Sequence, residues 1–242
     1  MKPVFLTALW QKLIMANYEI DPAVLSAYLP AHTILDDFEG KYYVSLVGFL
    51  FDDVRLKGWR IPYHTRFPEV NLRFYVKRDL PDTPESVQRG VVFVSEIVPR
   101  FAIAWVANTF YKEKYSATQM KHHWQHKSGE WNLQYEWKQQ RDWFSIKATV
   151  SDELHPMPPG SAEAFIFEHY YGYSKQTAQL THEYEVAHPS WQHYPVKEYD
   201  IVCDFEKVYG KAFAFLNLQK PASVFVAEGS EVVIHHKRVL KG

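Results

Sequence analysis

Ten consecutive residues, Tyr42-Tyr43-Val44-Ser45-Leu46-Val47-Gly48-Phe49-Leu50-Phe51, are apolar on both alternating faces and rich in strand formers. Successive side chains of a strand point to opposite sides, so this segment needs cover on both and reads as a central strand. A second segment, Glu69 to Val76, alternates instead. Val70, Leu72, Phe74 and Val76 share one face, while Glu69, Asn71, Arg73 and Tyr75 share the other. The second face sets a carboxylate, an amide, a guanidinium and a phenol in one line. Two readings are open. An outer strand would leave these groups in water with a cross-strand ion pair. An inward face would let Arg73 grip a ligand carboxylate with two parallel hydrogen bonds. Glu96, within the apolar run Val91 to Val98, offers Arg73 a partner on a neighbouring strand. An acid in such a run costs several kcal/mol unless paired or protonated, so Glu96 is a structural counter-ion or a perturbed acid.

The rest of the composition narrows the class. A chain of 242 residues with 47% hydrophobic and 23% charged residues is an ordinary globular one, read as a single domain over residues 1–242. Aromatic residues reach 17%, which favours packed pleated surfaces over helix bundles. The formal net charge is −1, and the longest basic cluster is His235-His236-Lys237-Arg238. Nucleic acid, which requires a basic face, is not the expected partner. Cys203 is the only cysteine, which excludes an internal disulfide and a thiolate metal cage. Gln11, Lys12, Asn17 and Glu19 interrupt any signal-peptide core, and no run reaches the length of about 20 apolar residues needed for a membrane span. The expectation is a reduced, cytoplasmic protein without a membrane partner.

Along the chain, Asp21-Pro22 opens a short helix to Tyr28, and Glu39-Gly40 turns into the central strand. Gly58 to Phe67 reads as a loop and Pro81 to Gly90 as polar and turn-rich. Val91 to Val98 reads as a strand, and Pro99 to Tyr111 as a buried helix. Tyr115 to Gln125, Trp131 to Lys138 and Trp143 to Val150 read as three strands joined by short turns. Ser161 caps a helix running to about His169. Tyr184 to Ala187, Ala212 to Leu218 and the Ser223 to Leu240 region complete the strands. Many short strands with about three helices argue for an α+β, mostly β domain, antiparallel or barrel-like.

Several segments carry a family resemblance. Asn17-Tyr18-Glu19-Ile20-Asp21, Tyr43-Val44-Ser45-Leu46-Val47-Gly48-Phe49, Phe67 through Val76 and Arg89-Gly90-Val91-Val92-Phe93 resemble the uncharacterised bacterial YqjF-like family, as do Tyr111 to Tyr115, Phe167-Glu168-His169-Tyr170-Tyr171 and His188-Pro189-Ser190-Trp191. The match runs in order along nearly the whole chain. That family is similar in fold to acetoacetate decarboxylase, which implies a twisted double β-barrel with a few short helices around an internal cavity. The resemblance turns the polar face of Glu69 to Tyr75 inward and puts Glu69 where the decarboxylase has a cavity carboxylate. Schiff-base decarboxylation needs a lysine whose pKa is depressed by a second lysine or by desolvation. The equivalent stretch here is Tyr111-Lys112-Glu113-Lys114-Tyr115, and no Lys-Lys pair occurs in the chain. Glu113 favours the charged form of both lysines and so opposes activation, although Lys112 or Lys114 could still face the cavity.

Other constellations have plainer explanations. His122, Trp124 and His126 share one side of a strand, but zinc needs further ligands and a supporting shell, so no metal is expected. His64, just before the polar strand, could shuttle protons at a cavity mouth or bond a backbone carbonyl. No phosphate-binding loop or dinucleotide fingerprint is present, and no cofactor is expected. The candidate ligand-binding residues are His64, Glu69, Asn71, Arg73, Glu96, Glu113 and Tyr115, with Glu69, Glu113 and Lys114 as candidates for acid, base or nucleophile. The partner is a small organic ligand bearing a carboxylate or carbonyl, handled by an enzyme or by a non-catalytic carrier or sensor. A purely structural polar interior and a homo-oligomer both stay open.

Overall fold

A computed structural model describes residues 2–80, 83–99 and 115–241, with only the backbone described for 83–86. In chain order, β1 (Val4–Glu19) leads into α1 (Pro22–Leu25), where Asp21 Oδ1 accepts the Ala23 amide at 2.8 Å. Then come β2 (Ile34–Leu35), β3 (Tyr43–Leu56), β4 (Trp59–Arg60), β5 (Phe67–Leu80) and β6 (Thr83–Val98). A second group follows: β7 (Tyr115–Ala117), β8 (Met120–Lys127), β9 (Glu130–Gln139) and β10 (Asp142–Ser151). After β11 (His155–Pro156) comes α2 (Ala162–Phe167), whose Ser161 cap accepts the Ala164 amide at 3.0 Å. The chain ends through β12 (Tyr171–Lys175), β13 (Leu180–Ala187), β14 (Gln192–Tyr194), β15 (Val196–Val202), α3 (Phe205–Tyr209), a 3₁₀ stretch (Lys211–Leu218), β16 (Ser223–His235) and β17 (Arg238–Lys241).

The larger sheet closes on itself. Pairing runs β16-β1-β3-β5-β6-β12-β13 and returns to β16 through Val186↔Ile234 and Ala187↔Val233. The β6–β12 seam is parallel and the other links of the ring are antiparallel. A four-stranded sheet, β15-β10-β9-β8, lies against the outside of the ring. Val44, Leu46, Val70, Leu72 and Phe74 form one core with Tyr135, Trp137 and Ile146 of this second sheet. Gly48 makes that contact possible, since a Cβ there would stand 2.9 Å from Ile146 and from Tyr135. The opposite side chains, including Met15, Val47, Phe49 and Tyr75, line the ring interior, which α2 plugs with Phe165, Ile166 and Phe167. The central strand predicted from the double apolar face therefore receives its cover from two sources. This is a mostly β chain with a few short helices, and no helix among the described residues is long and apolar enough to cross a membrane.

Several expectations need correction. The polar stretch before Gly90 is the first half of β6 rather than a turn, because Lys77↔Arg89, Arg78↔Gln88 and Asp79↔Val87 pair it to β5. Pairing overrides composition there. Ala212 to Leu218 is 3₁₀ rather than strand, and its buried Phe213 and Leu216 stand three residues apart, the repeat of that helix. Tyr115 to Gln125 is split, since β7 pairs with β6 of the ring whereas β8 belongs to the second sheet. The helix expected for Pro99 to Tyr111 lies, beyond Pro99, outside the described residues.

Candidate functional site

The site is built on β5. Glu69, Asn71, Arg73 and Tyr75 are 2%, 2%, 7% and 1% exposed, so the polar face looks into the ring and not into water. Tyr75 and Ser45 are hydrogen-bonded at 2.6 Å, Ser45 Oγ donates to Asn17 Oδ1 at 2.6 Å, and Asn17 Nδ2 donates to Ser223 Oγ at 3.1 Å. This polar rung ties β5, β3, β1 and β16 together and satisfies the phenol. Glu69 Oε1 accepts from Asn71 Nδ2 at 3.0 Å, and its Oε2 accepts from the Tyr115 hydroxyl at 3.3 Å. Burial pushes the Glu69 carboxyl up to about 7, against the opposing pull of Asn71, Tyr115 and Arg73. Burial, with Glu69 and Glu96 next to it, drives the Tyr115 phenol well above its ordinary value.

Arg73 is the unusual member. Its Nη2 lies 3.8 Å from Met15 Sδ and its guanidinium carbon 5.9 Å from the Tyr75 ring centre. Its Nε–H is buried without an acceptor, and no ion pair joins it to a carboxylate among the described residues. The register explains why Glu96 does not serve it. Asn71 stands opposite Glu96 in regular register, and a shift after Leu72↔Ser95 that skips Val94 puts Phe93 opposite Arg73. Asn71 Oδ1 is likewise buried without a donor among the described residues. A cavity with about 30 Å³ of room for water molecules adjoins Arg73, bounded by Trp10, His169, Tyr184, His188 and Trp191.

The other sequence candidates fall in different places. Glu96, 2% exposed, and Tyr115 join the Glu69 group. His64 sits in the loop before β5, with its Nδ1 2.8 Å from the Pro62 carbonyl oxygen, the backbone alternative of its two readings. Glu113, Lys114 and Lys112 lie outside the described residues. His126 pairs with Asp152 at 2.9 Å and His122 meets the edge of Trp124. Sequence reasoning did not assign roles to Trp10, Asp36 or His169, which have no shared periodicity and come together only through the ring closure.

The Glu69 titration has a checkable consequence. The folded-state value of about 7 stands above the ordinary 4.5, so the native protein holds a proton that the unfolded chain releases between these values. The stability contributed by the protonated carboxyl is complete below 4.5 and is lost as pH rises through 7. The gap corresponds to about 3 kcal/mol at most. Glu69→Gln, which cannot ionise, is expected to gain stability relative to the parent between pH 5 and pH 8, as measured by urea unfolding at both values. A constant difference would show that Glu69 is ionised throughout.

The closed ring with a four-stranded sheet against it is the fold of acetoacetate decarboxylase-like proteins. It resembles an acetoacetate decarboxylase-like enzyme from Sphingomonas wittichii RW1, with a TM-score of 0.66 at 12% identity over 98% of this chain and 94% of that one. Acetoacetate decarboxylase from Legionella pneumophila aligns with a TM-score of 0.63 at 12% identity, over 99% and 88% of the two chains. The enduracididine biosynthesis enzyme MppR, in complex with pyruvate, aligns with a TM-score of 0.62 at 11% identity over 100% and 92%. The chain belongs to the DUF2071 family, described as an uncharacterized conserved protein, which matches residues 7–231. The uncharacterized protein YqjF of Bacillus subtilis (strain 168) is 32% identical over 68 residues, 28% of either chain.

Proposed function

We propose that the ring interior binds a small organic ligand carrying a carboxylate or a carbonyl, in a cytoplasmic protein. Arg73 holds the anionic or polarised oxygen, with Glu69, Asn71, Glu96 and Tyr115 around the rest of the ligand and Glu113 as a further candidate. One observation carries this reading: Arg73 is a buried cation with no carboxylate partner among the described residues. Buried charges are almost always paired, because stripping an ion of water costs several kcal/mol. A ligand anion supplies the missing partner, and a guanidinium suits a carboxylate geometrically. Glu69, with its carboxyl near neutrality, is equipped to give or take a proton if chemistry follows binding. The pyruvate bound to MppR, a protein of the same fold, supports the choice of ligand class.

Thermal shift with pyruvate, acetoacetate and acetate, each beside its methyl ester, tests this reading. A ligand at 100 times its Kd adds about 2.7 kcal/mol of stability. For a chain of this size that is roughly 5–10 °C in Tm. The acids are expected to raise Tm and the esters to leave it near the unliganded value. Equal responses to acid and ester, or none to any acid at 10 mM (roughly 100-fold above a Kd of about 0.1 mM), would rule out an anion clamp.

A further inference from the structure

The wall facing Arg73 contains a constellation that the reading above does not use. Asp36, 1% exposed, lies just after β2, and its amide donates to the Tyr75 carbonyl at 3.0 Å. Its carboxylate meets Lys77 Nζ at 3.1 Å, Arg89 Nε at 3.1 Å and His169 Nε2 at 3.3 Å. Burial alone would raise the Asp36 carboxyl, but His169, Lys77 and Arg89 hold it below its ordinary value. Asp36 is thus an ionised, acceptor-only group. His169 follows α2, is 7% exposed, and is held by the Tyr75 ring at 4.8 Å and the Phe165 ring at 4.9 Å.

The protonation of His169 follows from its neighbours. A carboxylate can only accept, so the charge of Asp36, 3.3 Å from Nε2, favours the tautomer with the proton on Nε2, while neither ring nitrogen has an aligned hydrogen-bond partner among the described residues. Burial lowers the His169 pKa, assisted by Arg89 and Arg73 and opposed by Asp36, which keeps a second proton off the ring. Nδ1 is then a bare lone pair. It is buried and has no partner among the described residues. Arg73 and Trp10, which line the same cavity, each carry a buried donor, Nε–H and Nε1–H, with no acceptor among the described residues. A space of about 30 Å³ is therefore bordered by three residues that bring two donors and one acceptor unmet among the described residues. Water alone can fill it, since roughly 10–15 Å³ of such space holds one molecule. A fixed acceptor opposite a cation, however, selects a particular ligand.

The geometry points to a subsite for a small 2-hydroxy carboxylate, whose carboxylate takes the Arg73 and Trp10 N–H groups and whose hydroxyl donates to His169 Nδ1. This assignment rests on Arg73 binding a carboxylate. It adds a requirement that neither the carboxylate nor the carbonyl supplies, a hydroxyl proton pointing at His169. Asp36 is a positioning residue, fixing the tautomer that leaves Nδ1 open.

Calorimetric titration of the full chain with glycolate, methoxyacetate and acetate separates the possibilities. Methoxyacetate keeps the carboxylate and the ether oxygen but lacks the proton. Glycolate is expected to bind about tenfold more tightly than either, the value of one hydrogen bond to an otherwise unmet buried group. His169→Phe preserves bulk and brings glycolate down to the acetate level, whereas Arg73→Met loses all three. The comparison of glycolate with methoxyacetate on the unmodified protein holds even if a variant fails to fold. Equal, Arg73-dependent binding of glycolate and methoxyacetate overturns the hydroxyl subsite and leaves the carboxylate reading standing. Binding of all three that survives in a folded Arg73→Met overturns both. Absence of binding by all three to the unmodified protein overturns the subsite, while the larger acids of the thermal-shift series decide the carboxylate reading.

Discussion

Arg73→Met is expected to abolish carboxylate binding and to raise the melting temperature in the same variant. The guanidinium is 7% exposed, touches Met15 Sδ at 3.8 Å and the Tyr75 ring, and has no ion pair among the described residues. Glu69 exerts some attraction, but its carboxyl titrates near 7 and is only partly ionised at neutral pH. The folded, unliganded protein therefore bears a desolvation cost that little offsets. Methionine matches the length of the stem and packs against the apolar side chains that already surround it, Val91 and Phe93 among them. Replacing buried charge by apolar bulk is neutral to stabilising, by about 1–4 kcal/mol in known cases. Losing one partner of a buried charge pair costs the liganded state about 2–5 kcal/mol, roughly 30- to several-thousandfold in affinity. Urea unfolding and titration with pyruvate measure the two effects separately. A variant destabilised by more than about 1 kcal/mol would show that the protein already compensates the guanidinium, and the site would lose its rationale.

That opposition of stability and binding explains why part of the site was legible in the sequence. A period of two over Glu69 to Tyr75 is a local signal, and it assigned four side chains to one face correctly whatever that face met. The direction of the face was not local. It depends on β3, β1 and β16 wrapping round and on the second sheet covering Val70, Leu72 and Phe74, which periodicity cannot distinguish from solvent cover on the other side. The partner of Arg73 was illegible for a finer reason, because the pairing sets Glu96 opposite Asn71 and then skips Val94, so that Phe93 faces Arg73. Asp36 and His169 are brought together by topology alone, with the cations on β5 and β6 completing the group. Lys12 shows the same limit. It looks like an interruption in an apolar run, yet it is a buried clasp bonded to Tyr194 at 2.5 Å and to Glu228, lying over the Trp131 ring of the second sheet. Its positive φ of 51° belongs to the irregularity in β1 between Gln11 and Ile14, which no composition announces.

The ring also has a weak seam, and Gly90→Val is expected to open it. Among the described residues two pairs join β6 to β12, Tyr171↔Gly90 and Gly172↔Val91, in the parallel link of the closure. A Cβ at Gly90 would stand 2.4 Å from the Tyr171 carbonyl oxygen and 2.6 Å from the Tyr173 ring. The first neighbour is backbone, so it cannot swing aside as a side chain can. Relief requires β12 to move away, which breaks the seam and displaces Tyr171 and Gly172 from the wall of the Arg73 cavity. Overpacking costs about 1–3 kcal/mol by itself, and the loss of both pairings carries the total above about 3 kcal/mol. Gly48→Ala is the natural comparison, because its neighbours at 2.9 Å are the side chains of Ile146 and Tyr135, which can yield, and its cost stays near 1–2 kcal/mol. Hydrogen exchange locates the damage. Gly90→Val is expected to lose amide protection in Tyr171–Lys175 while β1, β3 and β5 stay protected, and ligand binding falls with it. If Gly90→Val costs no more than Gly48→Ala and leaves β12 protected, the parallel seam is not what encloses the interior, and the desolvation of Arg73 must come from α2 and Trp191 instead.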